Sequence, residues 1–298
     1  MRVTLATSVL TAFMLLHVPV AAAGRPVKVP ENVSVERGIA YREGNPLWKL
    51  DLTMPKAAGD ELRPGLVVVH GGGWSRGGRG KFQPCAIEYA QRGFVCINVD
   101  YRLSGKAPFP AAVEDVKCAV RWFRANAAKY RVDPGRIGGI GNSAGAHLVS
   151  MLALVPKEAQ LEGDGPHQEQ SSLINAGVVF SGPAVITMAL EKPRSHPAYR
   201  KFVAGPEKTI MDRAKAASPI TYASENAPPL LIIHGTKDGT VPVAQAEAFV
   251  AKLKEKKADV TYLRIERGTH NLFSRPEATK AAAEFLQRVL GSPREEAK

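Results

Sequence analysis

Arg136-Ile137-Gly138-Gly139-Ile140 leads into Gly141-Asn142-Ser143-Ala144-Gly145, and that into Ala146-His147-Leu148-Val149-Ser150-Met151-Leu152-Ala153-Leu154. An apolar run, a G-x-S-x-G turn and a helical run in this order form the setting for an exposed serine nucleophile. A sharp strand-to-helix turn lifts the hydroxyl above the end of a sheet, and flanking glycines let strand and helix pass close together. The pentapeptide is short. Its meaning depends on whether the rest of the chain supplies oxyanion donors, an acid and a base.

Outward from this turn, strand-like and helix-like segments alternate. Residues 34–41 and 46–54 read as an antiparallel opening pair around Glu43-Gly44-Asn45. Gly65-Leu66-Val67-Val68-Val69-His70 is a continuous apolar run, expected of a strand buried on both faces. Residues 94–101, 137–140, 174–180, 229–234 and 260–265 complete a set of eight strands. Residues 83–92, 110–130, 146–154, 244–256 and 277–290 read as helices, with Val113, Val116, Val120 and Phe123 on one face of the second. This alternation predicts an α/β chain with a mostly parallel sheet and helices on both faces. Residues 184–218 break the rhythm with Pro193, Pro197 and Pro206 and are expected to form a small cap over the site.

The 298 residues are 45% hydrophobic and 23% charged, ordinary for a globular chain. Arg2, the apolar stretch 5–20 and Pro19-Val20-Ala21-Ala22-Ala23 read as a secretory signal cut after Ala23, with the remainder exported. Ser8, Thr11, His17 and Pro19 interrupt the stretch, which argues against a membrane span. The formal charge is +12, and loss of Arg2 with the signal leaves +11. The lysines cluster at the polar end of a helix, Lys252 to Lys257, with no interleaved aromatic residues, so nucleic acid is not an expected partner. Cys85, Cys96 and Cys118 lack metal-ligand spacing and are expected as buried thiols. If the helices carrying Cys85 and Cys118 flank opposite faces of the sheet, those two cannot meet. Oligomeric state is not legible.

Ligands of open parallel sheets bind beyond the carboxyl ends of the strands. Asp238 follows Leu231-Ile232-Ile233-His234-Gly235-Thr236-Lys237, and His270 follows the strand at 260–265, so both are expected beside Ser143 in the chain order Ser, Asp, His. In this reading His270 takes the serine proton and Asp238 holds the imidazole tautomer. Lys237-Asp238-Gly239 is also good turn chemistry, so Asp238 has a purely local alternative. Asp212 falls in the cap, and Asp259 precedes its strand. His70 and His234 are expected to brace backbone, His147 lies one turn past the elbow, and His167 and His196 fall in loops. His70-Gly71-Gly72-Gly73-Trp74 offers an oxyanion loop: Gly72 and Gly73 would give two backbone donors and Ala144 a third. No G-x-x-x-x-G-K-[ST] pattern supports a phosphate loop instead. Trp74 either lines the acyl pocket or packs beneath the loop.

His70-Gly71-Gly72-Gly73-Trp74, Asp100-Tyr101-Arg102-Leu103, Gly141-Asn142-Ser143-Ala144-Gly145 and His234-Gly235-Thr236-Lys237-Asp238 together resemble α/β-hydrolase-fold serine esterases. The resemblance is to the HGGG-type carboxylesterases related to hormone-sensitive lipase, and within them to secreted bacterial carbohydrate esterases that remove acetyl or feruloyl groups. It covers residues 34–290. It implies Ser-His-Asp hydrolysis of a small or polysaccharide ester without cofactor or metal. Many relatives of the lipase have Asp where this chain has Asn142, and a larger N-terminal cap. That departure points toward the carbohydrate esterases. Asp100 and Asp115 belong to the shared motifs and are read as structural, through loop bonding and helix capping. An aryl-formamidase or amidase on the same fold, and a non-catalytic binder, remain the alternative readings.

Overall fold

The computed structural model describes residues 27–56, 61–191 and 196–291. The expected signal at residues 1–23 lies outside them. Eight strands form one sheet: β1 (Val33–Ala40), β2 (Lys49–Pro55), β3 (Arg63–Val69), β4 (Val95–Val99), β5 (Val132–Asn142), β6 (Ala176–Phe180), β7 (Leu230–Gly235) and β8 (Val260–Ile265). Their order is β1-β2-β4-β3-β5-β6-β7-β8. β2 runs antiparallel to both β1 and β4, and all later neighbours are parallel. The sheet is therefore mostly parallel, with the serine strand β5 at its centre.

The helices divide between the faces. α1 (Gln83–Gln91) covers one face of the amino-terminal half. α2 (Ala111–Ala125), its short continuation α3 (Ala127–Tyr130) and α4 (Ala144–Leu154) cover the other. Three short helices, α5 (Ile186–Leu190), α6 (Pro197–Phe202) and α7 (Ile210–Ala216), follow β6. α8 (Ala244–Glu255) and α9 (Pro276–Leu290) close the chain. Alternate side chains of each strand feed the two cores. Val67, Val69, Ile97 and Val99 meet α2 and α4, whereas Leu66, Val68, Cys96 and Ile140 meet α1 and α9. This is the period-2 alternation of a strand covered on both sides.

The helix expected over 110–130 is interrupted at Asn126, which leaves helical geometry and donates its side-chain amide to the Trp122 carbonyl at 2.8 Å. A local side-chain bond of this kind competes with the helical ladder. Cys85 and Cys118 lie in different cores on opposite faces, and all three cysteines are buried and unpaired. Among the described residues no helix is long and apolar enough to cross a membrane.

α4 has no polar face: every residue from Ala144 to Leu154 is buried. The sheet lies on one side of it, and α2 and the turn at Pro219–Tyr222 lie on the others. Gly145 makes this placement possible. A Cβ there would lie 2.1 Å from the Val69 carbonyl oxygen, and one on Gly141 would lie 2.5 Å from the Gly145 carbonyl carbon. Gly145→Ala is therefore expected to destabilise the fold by roughly 3 kcal/mol, although alanine is the better helix former. Urea unfolding measures this, and a variant as stable as the parent would refute the close approach.

Candidate active site

Ser143 sits between β5 and α4 with φ 56° and ψ −122°. Positive φ at a non-glycine residue costs of order 1–3 kcal/mol and persists only where surroundings hold it. Here the Ser143 amide donates to the Phe180 carbonyl at 2.8 Å, and its carbonyl accepts from His147 N at 3.0 Å. The strand before and the helix after are both locked, so the turn between them has no freedom to relax.

Asp238 lies in the turn after β7. Its two carboxylate oxygens divide the two roles that the sequence left as alternatives. Oδ1 accepts from the amides of Thr240 at 2.8 Å and Val241 at 2.9 Å, which is the turn chemistry. Oδ2 faces His270 Nδ1 at 2.7 Å. A second imidazole also reaches Oδ2: His234 Nε2 lies 3.3 Å away while donating to the Val241 carbonyl at 2.8 Å. Burial pushes the Asp238 carboxyl up, but the bonds from His234, His270 and the Val241 amide outweigh it together. They hold the group well below the usual carboxylate range, so Asp238 is an anion at neutral pH.

The other acids are poorly placed. Asp212 is exposed on α7, and Asp259 is exposed before β8, at the amino end of the parallel strands, opposite the carboxyl end where Asp238 lies. Among the histidines, His167 faces Glu169 at 3.7 Å. His70 is buried, stacks on Tyr101 and contacts the Gly71 carbonyl at 2.9 Å through Nδ1. His196 lines the same cavity as Ser143 and His270, which its position in an irregular segment did not reveal. It has no carboxylate partner among the described residues. Its Nδ1 instead accepts from Ala198 N at 3.2 Å and caps α6.

The cavity holds about 680 Å³ at the carboxyl ends of the strands and is bounded by Gly71–Trp74, Ser143, Ala144 and His270. Gly72 has φ 125° and Gly73 φ 59°, and a Cβ on Gly72 would lie 2.1 Å from the Arg76 carbonyl oxygen. That conformation and that contact both require glycine. The Ala144 amide is at the first position of α4, where helix geometry leaves N–H groups without an intrahelical acceptor. The chain that follows the loop is tied to the sheet through Arg79. Its backbone amide donates to Asp100 Oδ1 at 2.6 Å, and its guanidinium bridges Asp51 and Asp100. Asp100 is thus a loop-bonding residue, as read from the sequence. Asp115 is one too, but without a capping role: it accepts from Trp48 Nε1 at 2.9 Å and from Arg102 N at 2.7 Å.

Trp74 is chiefly a packing residue at the cavity edge. It borders the cavity, yet it is only 2% exposed and stacks on Phe202 of α6 at 4.2 Å. Its Nε1 donates to His147 Nδ1 at 3.2 Å, while His147 Nε2 meets the Ala217 carbonyl at 2.7 Å. One imidazole thereby ties α4, the glycine loop and the segment after α7 together. Burial pushes His147 down to about 4, so it is neutral with its proton on Nε2. An unfolded histidine titrates at about 6.5. The contribution of His147 to stability is therefore full above pH 6.5 and is lost as pH falls toward 4, because the unfolded chain takes up the proton first. Trp74→Phe keeps the stacking but leaves His147 Nδ1 buried without its donor. The expected cost is about 1–3 kcal/mol in chemical denaturation at pH 7. An unchanged midpoint would show that this bond carries no weight.

A mostly parallel eight-stranded sheet, a strained serine elbow at its centre and an Asp–His pair at the neighbouring strand ends define an α/β-hydrolase. The BD-FAE family model matches residues 50–253, more than half of the chain, and the chain belongs to that family. The probable carboxylic ester hydrolase LipM of Mycobacterium tuberculosis is 33% identical over 214 residues, covering 70% of this chain and 49% of its own. The chain thus spans about half the length of that curated relative. A thermophilic esterase of the Planctomycetes species Thermogutta terrifontis superposes with a TM-score of 0.72 at 28% identity, covering 92% of this chain and 99% of its own. A truncated carbohydrate esterase from gut microbiota superposes with a TM-score of 0.80 at 24% identity, covering 87% and 97%, which speaks to the fold alone.

Proposed function

We propose that the protein is an exported serine hydrolase that cleaves carboxylic esters, with acetyl or aromatic acyl groups on carbohydrates as the preferred class. One observation carries this reading: His270, paired at 2.7 Å with an anionic Asp238, faces the cavity that Ser143 borders from a strained turn. In the proposed reaction His270 Nε2 takes the Ser143 proton as Oγ attacks the ester carbonyl. The amides of Gly72, Gly73 and Ala144 receive the oxyanion, and His270 returns the proton to the departing alcohol. Water then enters and loses a proton to His270 as it attacks the acyl carbonyl, and His270 passes that proton to Ser143 Oγ as the acid leaves. Asp238 stays ionised throughout and stabilises the imidazolium.

The named esterases among the relatives support ester rather than amide cleavage. The carbohydrate assignment rests on the motif resemblance and on a wide, open cavity, and residues 184–218 are proposed as the cap that shapes it. Export rests on residues 1–23. Labelling with an uncharged fluorophosphonate, followed by a hydrolysis screen over acetylated xylan, methyl ferulate, p-nitrophenyl butyrate and N-formylkynurenine, tests the assignment. Absence of an adduct on Ser143 would favour a binding protein. Turnover of the formamide alone would move the activity to amide-type bonds.

A further inference from the structure

Among the described residues, those lining the cavity include Arg76, Lys81 and Lys201 and no carboxylate. Arg76 and Lys81 come from the chain that follows the glycine loop, and Lys201 from α6. All three are exposed, and none makes an ion pair with an acid of the described residues. This contrasts with the other cations near these loops. Arg79 pairs with Asp51 and Asp100, Arg102 with Glu114 and Asp115, and Lys117 and Arg121 share Glu162. The anionic Asp238 lies behind His270 and makes no direct ion pair with these three cations; its oxygens meet His270, His234 and two amides. The cavity mouth therefore carries three cations without an ion-pair partner among the described residues, over a concave wall where field lines concentrate.

We infer that the substrate ester carries a carboxylate, which Arg76, Lys81 and Lys201 receive while the ester carbonyl sits at Ser143. The inference rests on the hydrolase reading and deepens it. The guanidinium of Arg76 suits a carboxylate bidentately, and the two lysines act as movable point charges. The carboxylate has two possible sources: the acyl side, as in a half-ester of a dicarboxylic acid, or the alcohol side, as in an acylated uronic acid.

Two matched pairs separate these sources. One compares p-nitrophenyl hemisuccinate with p-nitrophenyl butyrate, and the other compares acetylated methyl glucuronoside with acetylated methyl glucoside. For one pair, kcat/KM is expected to favour the anion at low salt. The preference should shrink as salt rises from about 0.01 M to about 1 M. Each of Arg76→Gln, Lys81→Gln and Lys201→Gln should reduce the anion-to-neutral ratio roughly fivefold, the scale of one charge interaction in water. Circular dichroism establishes that each variant is folded. Ratios at or below one for both pairs, or a preference indifferent to all three substitutions, would overturn the inference. Calorimetry of Ser143→Ala with glucuronate and with monoethyl succinate needs no turnover. Salt-sensitive binding there, with no ester cleaved by the parent, would remove the hydrolase reading and leave the anion site standing. Ester cleavage without charge preference or anion binding would do the reverse.

Discussion

Ser143→Ala is expected to lose all fluorophosphonate labelling and to lower kcat on p-nitrophenyl butyrate by at least about 10⁴-fold, with KM little changed. Its fold should survive. Alanine must adopt φ 56° as serine does, and the clamps on that turn are backbone bonds to Phe180 and His147 that do not involve the hydroxyl. His270→Ala is expected to match it, and the double variant should fall no further. In the proposed reaction nucleophile and base act as a unit, and what would remain without either is the proposed oxyanion loop. His196 makes the second substitution informative, because it lines the same cavity and is an obvious substitute base. Among the described residues it has no carboxylate to fix its tautomer, and its Nδ1 is engaged with Ala198 N. If His270→Ala retained most of the activity and His196→Ala abolished it, the base would have to be reassigned.

The elbow was legible because its requirements are local. Gly141 and Gly145 are needed where β5 and α4 touch, and no other residue fits a Cβ contact of 2.1 Å to the Val69 carbonyl. Asp238 and His270 were legible from one topological rule, that parallel strands present their carboxyl ends to the ligand. What the sequence withheld depends on tertiary packing. His234 ends a buried strand and looks like a backbone brace, and it is one, through Val241. Its approach to Asp238 Oδ2 follows from the turn curling back over β7, which no spacing predicts. The bond between Trp74 and His147 joins residues 73 positions apart, and its strength depends on Phe202 and Ala217 closing over it. His196 and Lys201 come to the cavity only because α6 folds back across the site. The proline-rich segment 184–218 signalled irregularity, but not which of its side chains would turn inward.

The sharing of Asp238 between two imidazoles makes Asp238→Asn the most discriminating change at this site. The asparagine oxygen can keep the amide bonds of Thr240 and Val241, so the turn is expected to persist. Its NH₂ group then replaces the anion opposite His270 Nδ1 and His234 Nε2. His234 still has the Val241 carbonyl for its proton. His270 has no such alternative: it must accept from the amide on Nδ1, which puts its proton on Nε2, the atom that takes the proton from Ser143 in the proposed reaction. An imidazole in that tautomer cannot act as base, and its cationic form has lost its counter-charge. The expected fall in kcat is about 10⁴-fold, with little change in KM. Stability should show the linkage separately. The folded carboxyl is held below its unfolded value of about 3.9, so its contribution is complete above that pH and is lost as pH falls through the acid range. The parent should therefore exceed Asp238→Asn in urea stability at pH 7, and the difference should narrow at pH 3. A constant difference would mean that the carboxylate is not held by its two histidines. Full activity in the variant would mean that another group orients His270.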